Sequence, residues 1–119
     1  MRVSSSEGVK IAVRVFEGQG PSVVLVHGWM MSGHVWDPLV EHLQARDVRV
    51  VVPDLRGCGD SERPQSPYSL DSFADDVSAV LREHGGDRAL LVGHSMGGQI
   101  AQLVAARPGN HLAGLALLN

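Results

Sequence analysis

The chain has 119 residues, 44% of them hydrophobic and 19% charged, which is typical of one folded domain and not of a disordered segment. Ten Lys and Arg residues against thirteen Asp and Glu residues give a net charge of −3 without a basic run, which argues against nucleic-acid and anionic-membrane partners. The single cysteine, Cys58, excludes an internal disulfide framework and favours a cytoplasmic location. No apolar run approaches the roughly 20 residues that span a bilayer, and the amino terminus lacks the apolar core of a signal peptide.

The predicted strands fall into two groups. Residues 10–17 alternate apolar and polar side chains, which predicts a half-exposed strand that pairs with residues 2–5 at an antiparallel edge. Four later runs are rich in Val and Leu without alternation, as expected of parallel strands covered on both faces. They are residues 22–26, 49–53, 88–93 and 113–118.

Apolar residues at helical spacing separate these strands and predict three helices, over residues 36–44, 70–81 and 96–104. Asp37 is a candidate cap of the first helix, with Pro38 at its first position, and Ser69 is a candidate cap of the second. Gly85 and Gly86 are expected to end that second helix. The fold class is therefore α/β, with a mostly parallel sheet, helices on both faces and one long loop at residues 57–67.

A candidate nucleophile lies where a strand meets a helix. Gly93, His94, Ser95, Met96 and Gly97 form a G-x-S-x-G pattern directly after the apolar strand and directly before the third helix. This context forces the serine into a strained turn, in which only small flanking residues leave room for the crossing backbone. The Ser95 hydroxyl is therefore expected at the carboxyl end of the strand, where the helix N-terminus favours an anionic intermediate.

Two further motifs follow parallel strands and so belong to the same sheet edge. His27, Gly28 and Trp29 come directly after the first buried strand. Gly28 lets the backbone turn close to a substrate, so the N–H groups of Trp29 and Met96 are candidate oxyanion donors. The third motif, DLRGCGDSERP at residues 54–64, follows the next buried strand.

With these three blocks in this order, the sequence resembles the α/β-hydrolase fold family, in the branch of serine esterases and cofactor-free haloperoxidases. The resemblance covers nearly the whole chain. It implies one partial domain over residues 1–119, with about six strands in the order 1-2-4-3-5-6, three helices, Ser95 as nucleophile, and no cofactor or metal. It also implies that His27, Gly28, Gly93, His94 and Gly97 support the site, and that the substrate is a small ester, thioester or amide.

The family places its acid and its catalytic histidine after the nucleophile, and only 24 residues follow Ser95 here. Strand polarity puts His42, His84 and His111 at the opposite sheet edge. His27 and His94 lie on the correct edge, but in the family they orient loops, which leaves His34 as the least constrained surrogate base. Asp54 and Asp60 are expected to cap backbone turns, Cys58 to be inert, and Met30 and Met31 to pack the loop or contact substrate.

Two hypotheses follow. In the first, the chain is a serine hydrolase; in the second, it is a non-catalytic fragment or one half of a split hydrolase that needs a second chain. The resemblance implies that the strand from Ala113 to Leu118 is an open apolar edge beside a partly bare sheet face. That edge is a candidate surface for self-association or for a complementing chain.

Overall fold

The computed structural model describes residues 1–65 and 68–119, which form six strands and three α-helices. The strands are β1 (Arg2–Ser4), β2 (Lys10–Phe16), β3 (Gln19–Val26), β4 (Val48–Pro53), β5 (Ala89–His94) and β6 (Leu112–Leu118). The helices are α1 (Asp37–Gln44), α2 (Leu70–His84) and α3 (Met96–Ala106), and a short 3-10 helix (Gly33–Trp36) precedes α1. Every predicted strand and helix is present, with ends that differ by a few residues.

All six strands form one sheet in the order β1-β2-β4-β3-β5-β6, which confirms the predicted order. The β1-β2 and β2-β4 pairs are antiparallel, whereas β4-β3, β3-β5 and β5-β6 are parallel. The carboxyl ends of β3, β4 and β5 therefore meet at one edge of the sheet, as the motifs after these strands require.

Helices cover both faces of the sheet, and each face has its own apolar cluster. On one face α2 and α3 pack Phe73, Val77 and Ile100 against the central strands. On the other face α1 contributes Val40 and the 3-10 helix contributes Trp36. The Val-rich strands are buried on both sides, which is why their sequences lack alternation.

The start of α1 differs from the prediction that Asp37 caps it. Trp36 occupies the N-cap position without a side-chain hydrogen bond, and Asp37 already has helical backbone angles. Ser32 caps the preceding 3-10 helix instead, where its hydroxyl accepts a hydrogen bond from the His34 N–H at 3.3 Å. Helical backbone therefore begins in the 3-10 turn, upstream of the Asp-Pro pair, and Asp37 is already the first residue of α1. The other two signals are confirmed, because Ser69 caps α2 and Gly85 and Gly86 end it.

The prediction that the last strand is covered on both faces is wrong. β6 alternates between half-buried and exposed residues, and Leu115, Leu117 and Leu118 are among the exposed large apolar side chains. β6 is the terminal strand of the sheet, so β5 alone pairs with it. The family resemblance implied this open edge. The apolar sequence of the strand instead indicated a strand covered on both faces.

Residues 57–65 of the predicted long loop lie outside helices and strands, and its last two positions, 66 and 67, lie outside the described residues. Of the helices in the described ranges, none combines the length and the apolar character needed to cross a membrane.

Candidate active site at the carboxyl edge of the sheet

Ser95 lies between β5 and α3 in a strained backbone conformation, with φ 57° and ψ −121°. A residue with a side chain adopts a positive φ at a cost of order 1–3 kcal/mol, and such residues cluster at functional sites. Hydrogen bonds hold the turn on both sides, because the Ser95 N–H donates to the Leu118 carbonyl at 3.0 Å and its carbonyl accepts from the Gly98 N–H at 2.9 Å. The side chain is exposed at the sheet edge. The predicted strained elbow is confirmed.

Close backbone approaches explain the glycines around Ser95. A Cβ atom on Gly93 would overlap the carbonyl group of Gly97, and a Cβ atom on Gly97 would overlap the carbonyl of Val26 at the end of β3. Both positions therefore tolerate only glycine without a shift of the backbone. These contacts join the start of α3 to β5 and to β3.

Gly28 brings the loop after β3 directly against the elbow. A Cβ atom at Gly28 would lie 3.2 Å from the His94 carbonyl and 3.3 Å from Cβ of Ser95. The next residue along the chain is Trp29, and Met96 is the first residue of α3. Trp29 thus follows a residue that contacts the elbow, and Met96 directly follows Ser95. That their N–H groups converge on one anion stays a prediction.

His27 is fully buried and orients two loops. Its Nδ1 and the Gly28 carbonyl are 2.8 Å apart, and its Nε2 lies 3.0 Å from the Leu55 backbone nitrogen. The Leu55 N–H requires an acceptor, so Nε2 is unprotonated and Nδ1–H donates to Gly28. Burial lowers the pKa of His27 and favours this neutral ring. With both ring nitrogens engaged, His27 joins the loop after β3 to the loop after β4, and this geometry disfavours it as a base.

His94 precedes Ser95, and its ring meets the indole of Trp36 edge-on, with 6.2 Å between the ring centroids. The buried Nδ1 of His94 and the buried Nε1 of Trp36 each have no hydrogen-bond partner among the described residues. Packing against Trp36 ties the elbow to the 3-10 helix on the α1 face of the sheet.

His34, the least constrained candidate base, is engaged by a carboxylate of α1. Its Nδ1 is 2.9 Å from Asp37, which also accepts a hydrogen bond from Arg14 on β2 at 3.1 Å. These two bonds lower the pKa of the exposed Asp37 carboxyl, with His34 the larger cause. His34 also lines a cleft together with Ala12, Val13 and Arg14 of β2, on the antiparallel side of the sheet. The geometry therefore disfavours His34 as a surrogate base.

The other three histidines lie at the opposite sheet edge, as predicted. The His84 carbonyl accepts a hydrogen bond from Arg49 at the start of β4, and the His111 carbonyl accepts one from Ala89 at the start of β5. His42 lies in the last turn of α1. Among the described residues, no histidine is hydrogen-bonded to Ser95, and no cluster of three His, Cys, Asp or Glu side chains could hold a metal ion.

Asp54 caps backbone turns, as expected. Its carboxylate accepts from the Gly33 N–H at 2.6 Å and from the Asp60 N–H at 3.0 Å, which joins the loop after β4 to the 3-10 helix. Cys58 is half-buried, and burial raises the pKa of its thiol, with the nearby Asp54 charge a smaller cause. A raised pKa keeps the thiol protonated and agrees with its expected inertness.

The sequence analysis missed a buried ion pair beneath this edge. The guanidinium of Arg56 is fully buried and donates to Asp76 of α2 at 2.7 Å and to Glu7 at 3.1 Å. The Arg56 backbone N–H also donates to Asp76, at 3.2 Å. The sequence did contain a signal of this pair. Asp76 lies within the apolar stripe of α2 that includes Phe73, Val77 and Val80, and a charged residue at such a position needs a buried partner.

Comparisons with known proteins agree with this architecture. The profile of the alpha/beta hydrolase fold family matches residues 21–119. Over 119 residues the chain is 34% identical to the bifunctional esterase/perhydrolase DCH of Acinetobacter calcoaceticus, which covers 98% of this chain and 43% of that protein. Over 87 residues it is 38% identical to a soluble epoxide hydrolase of Corynebacterium sp. (strain C12), covering 73% of this chain and 30% of the relative.

Among solved structures, the esterase EaEST from Exiguobacterium antarcticum superposes with a TM-score of 0.91 at 28% identity, covering 98% of this chain and 44% of that one. The chain thus spans between a third and a half of most of these relatives. Profile, sequence identity and fold agree, and the chain belongs to the alpha/beta hydrolase fold family.

Proposed function

We propose that the chain is the nucleophile-bearing part of a serine hydrolase that acts on small carboxylic esters, thioesters or amides. The observation that carries the proposal is the exposed Ser95 at φ 57°, held in the turn between β5 and α3 with Gly28 packed against it. A strained serine at this position is the nucleophile elbow of the family. Carboxylate nucleophiles serve epoxide hydrolysis in the family, so Ser95 favours acyl transfer for this chain over the reaction named for the Corynebacterium relative.

In the proposed reaction, the Ser95 Oγ attacks the carbonyl carbon while a general base accepts its proton. The negative charge that develops on the carbonyl oxygen is stabilised by the N–H groups of Trp29 and Met96, each such donor being worth about 10²- to 10³-fold in rate. Collapse of the intermediate expels the alcohol, thiol or amine, which takes up the proton. Water then hydrolyses the acyl-serine in a second pass through the same site.

Among residues 1–65 and 68–119, no histidine is hydrogen-bonded to Ser95 as its general base. His27 is bound by two loops, and His34 lies over β2. The proposed activity therefore needs a base from elsewhere in the polypeptide or from a second chain. By themselves, the 119 residues would retain only the catalysis of about 10³- to 10⁴-fold over water that oxyanion stabilisation and binding provide.

The second candidate is a non-catalytic fragment that a complementing chain completes. The exposed Leu115, Leu117 and Leu118 on the terminal strand favour it, because an apolar strand edge is a template for pairing. Both candidates share the small ester-like substrate once the base is supplied. The single cysteine supports a reducing, cytoplasmic location for either.

The test is ester turnover with chemical rescue. Purified protein is mixed with p-nitrophenyl acetate, with and without imidazole as a diffusible base, and the peptide that contains Ser95 is examined for an acetyl group by mass spectrometry. We expect slow turnover without imidazole, and with imidazole an acetylated Ser95 that the Ser95→Ala variant lacks. Equal rates and no acetylation in both proteins would reject Ser95 as nucleophile.

Brisk turnover without imidazole, abolished in Ser95→Ala, would instead show that the chain carries its own base. The His34→Ala variant then separates the remaining cases, since its loss of activity would identify His34 as that base.

A further inference from the structure

A cavity of about 360 Å³ lies beside the candidate oxyanion loop, between the loop after β3 and the loop after β4. The residues that line it are Trp29, Met30, Met31, residues 56–59, Arg63 and Tyr68. Its size falls at the lower end of the range of about 300–1,000 Å³ that small-molecule sites occupy.

The aromatic wall of this cavity is held in place. Tyr68 donates a hydrogen bond from its hydroxyl to the Pro64 carbonyl at 2.6 Å, and Gly57 leaves room for its ring, where a Cβ atom would clash. Tyr68 and Trp29 both pack against the buried Phe73, with ring centroids 6.3 and 6.4 Å away. Trp29 itself stays 56% exposed, so a large part of its surface is free to contact a ligand.

The two methionines supply an adaptable apolar surface next to Ser95. Met30 has a positive φ of 58° and an 81% exposed side chain, a costly combination that packing within the chain does not explain. The sulfur of Met31 would lie 3.5 Å from a Cβ atom at Gly28, the residue that contacts Ser95. The methionines therefore connect the elbow to the cavity, and flexible thioethers suit hydrocarbon chains of varied shape.

Two arginines line the cavity, of which Arg56 is fully buried and ion-paired, whereas Arg63 is exposed. Two of its nitrogens donate to the carbonyls of Ser61 and Gly59, at 3.3 and 3.0 Å, which leaves three of its five N–H donors without a partner among residues 1–65 and 68–119. Two carboxylates of the same loop are engaged elsewhere, since Asp54 binds backbone N–H groups and Glu62 accepts from the Lys10 N–H at 2.9 Å. In the described part of the chain, no carboxylate forms an ion pair with Arg63.

We propose that this cavity binds the acyl chain of the substrate and that Arg63 binds a carboxylate at its far end, so that the preferred substrates are monoesters of short dicarboxylic acids. The inference rests on the proposed function, which places the ester carbonyl at the Trp29 N–H. From there the hydrocarbon chain passes Met31 and Met30, and the planar guanidinium of Arg63 receives the carboxylate.

The experiment measures binding in the Ser95→Ala variant, which cannot be acylated. Monomethyl adipate and methyl hexanoate, which differ in the terminal carboxylate, are titrated separately at pH 7 and followed by chemical shifts of the Trp29 indole N–H. We expect monomethyl adipate to bind about five- to tenfold more tightly, as one charge-assisted contact at a partly exposed site provides. Equal affinities, or no binding of either compound, would overturn the proposal.

Variants at the cavity sharpen the result. Adding Arg63→Gln should abolish the preference, whereas Arg63→Lys, which keeps the charge, should retain most of it. Arg88→Gln serves as the matched control, because Arg88 is exposed just before β5 at the opposite sheet edge, and it should leave the preference unchanged. A preference that survives Arg63→Gln would contradict the role of Arg63.

The binding readout separates this inference from the proposed function. A preference for monomethyl adipate together with no acetylation of Ser95 would reject only the nucleophile. Acetylation of Ser95 without any preference would reject only the acyl site.

Discussion

Gly97 is the residue at which the backbone of α3 touches the end of β3. Because a Cβ atom there would overlap the Val26 carbonyl, we expect Gly97→Ala to lower the free energy of unfolding by about 1–3 kcal/mol and to displace the elbow. The neighbouring Gly98→Ala is the matched control. Its Cβ atom would meet nothing closer than 3.5 Å, and alanine favours a helix, so this variant should be neutral or slightly stabilised.

Urea unfolding of both variants tests this difference. Equal destabilisation at the two positions would mean that helix-wide effects, and not the contact with Val26, make glycine necessary.

His27 couples stability to pH, because its Nε2 must accept a hydrogen bond from the Leu55 N–H. Burial lowers the pKa of His27 in the folded chain, so the unfolded chain binds a proton at higher pH. The contribution of the neutral ring is therefore complete above the ordinary pKa of about 6.5 and is lost as pH falls below it. We expect the free energy of unfolding to be lower at pH 5.5 than at pH 7.5.

Urea unfolding at the two pH values measures the effect. The His27→Gln variant, whose side chain does not titrate, should lose this difference, and an unchanged difference in that variant would assign the effect to other groups.

At the scale of elements, Arg56 joins the loop after β4 to α2 and to the turn between β1 and β2. Replacing it with methionine leaves the Asp76 carboxylate buried without its partner, which should cost about 3–5 kcal/mol. The double variant Arg56→Met with Asp76→Leu removes both charges, and we expect it to recover much of that loss.

Arg107→Met is the control for this pair, because it removes a partly exposed contact with Asp75 and should cost about 1 kcal/mol or less. Thermal or urea unfolding of the four proteins checks the order. A double variant no more stable than Arg56→Met would argue that Arg56 acts through packing alone.

The sequence predicted those elements that are determined by residues close together in the chain. Runs of Val and Leu specify buried strands, and a single residue, Ser69, caps α2. Glycine is required in the elbow because a Cβ atom there would overlap neighbouring backbone. What escaped prediction depends on partners distant in the chain. Arg56 and Asp76 are 20 residues apart, and Asp37 of α1 pairs with Arg14 of β2. The exposure of β6 arises because no other strand of the described residues pairs with its outer edge.

At the scale of the whole molecule, the terminal strand β6 is the surface through which association is expected. We expect the chain to self-associate through β6 as its concentration rises, because Leu115 and Leu117 are exposed on an apolar strand whose outer edge pairs with no other strand of the described residues. Replacing both with lysine should shift the molecule toward a monomer in size-exclusion chromatography with light scattering.

Val35→Lys is the control for β6, since Val35 is 46% exposed on the 3-10 helix, outside that strand. An association that the lysines on β6 leave intact, or that Val35→Lys weakens equally, would place the contact elsewhere.

The sheet order also has a consequence for how the chain folds during synthesis. β2 and β3 are joined by only two residues, yet β4 lies between them in the sheet. When β2 and β3 leave the ribosome, β4 has not yet been made, so the two strands can pair with each other in a hairpin that the native sheet forbids. Productive folding must postpone or undo that hairpin until β4 is inserted, and the nascent chain is most exposed to misfolding and to chaperone capture in this interval.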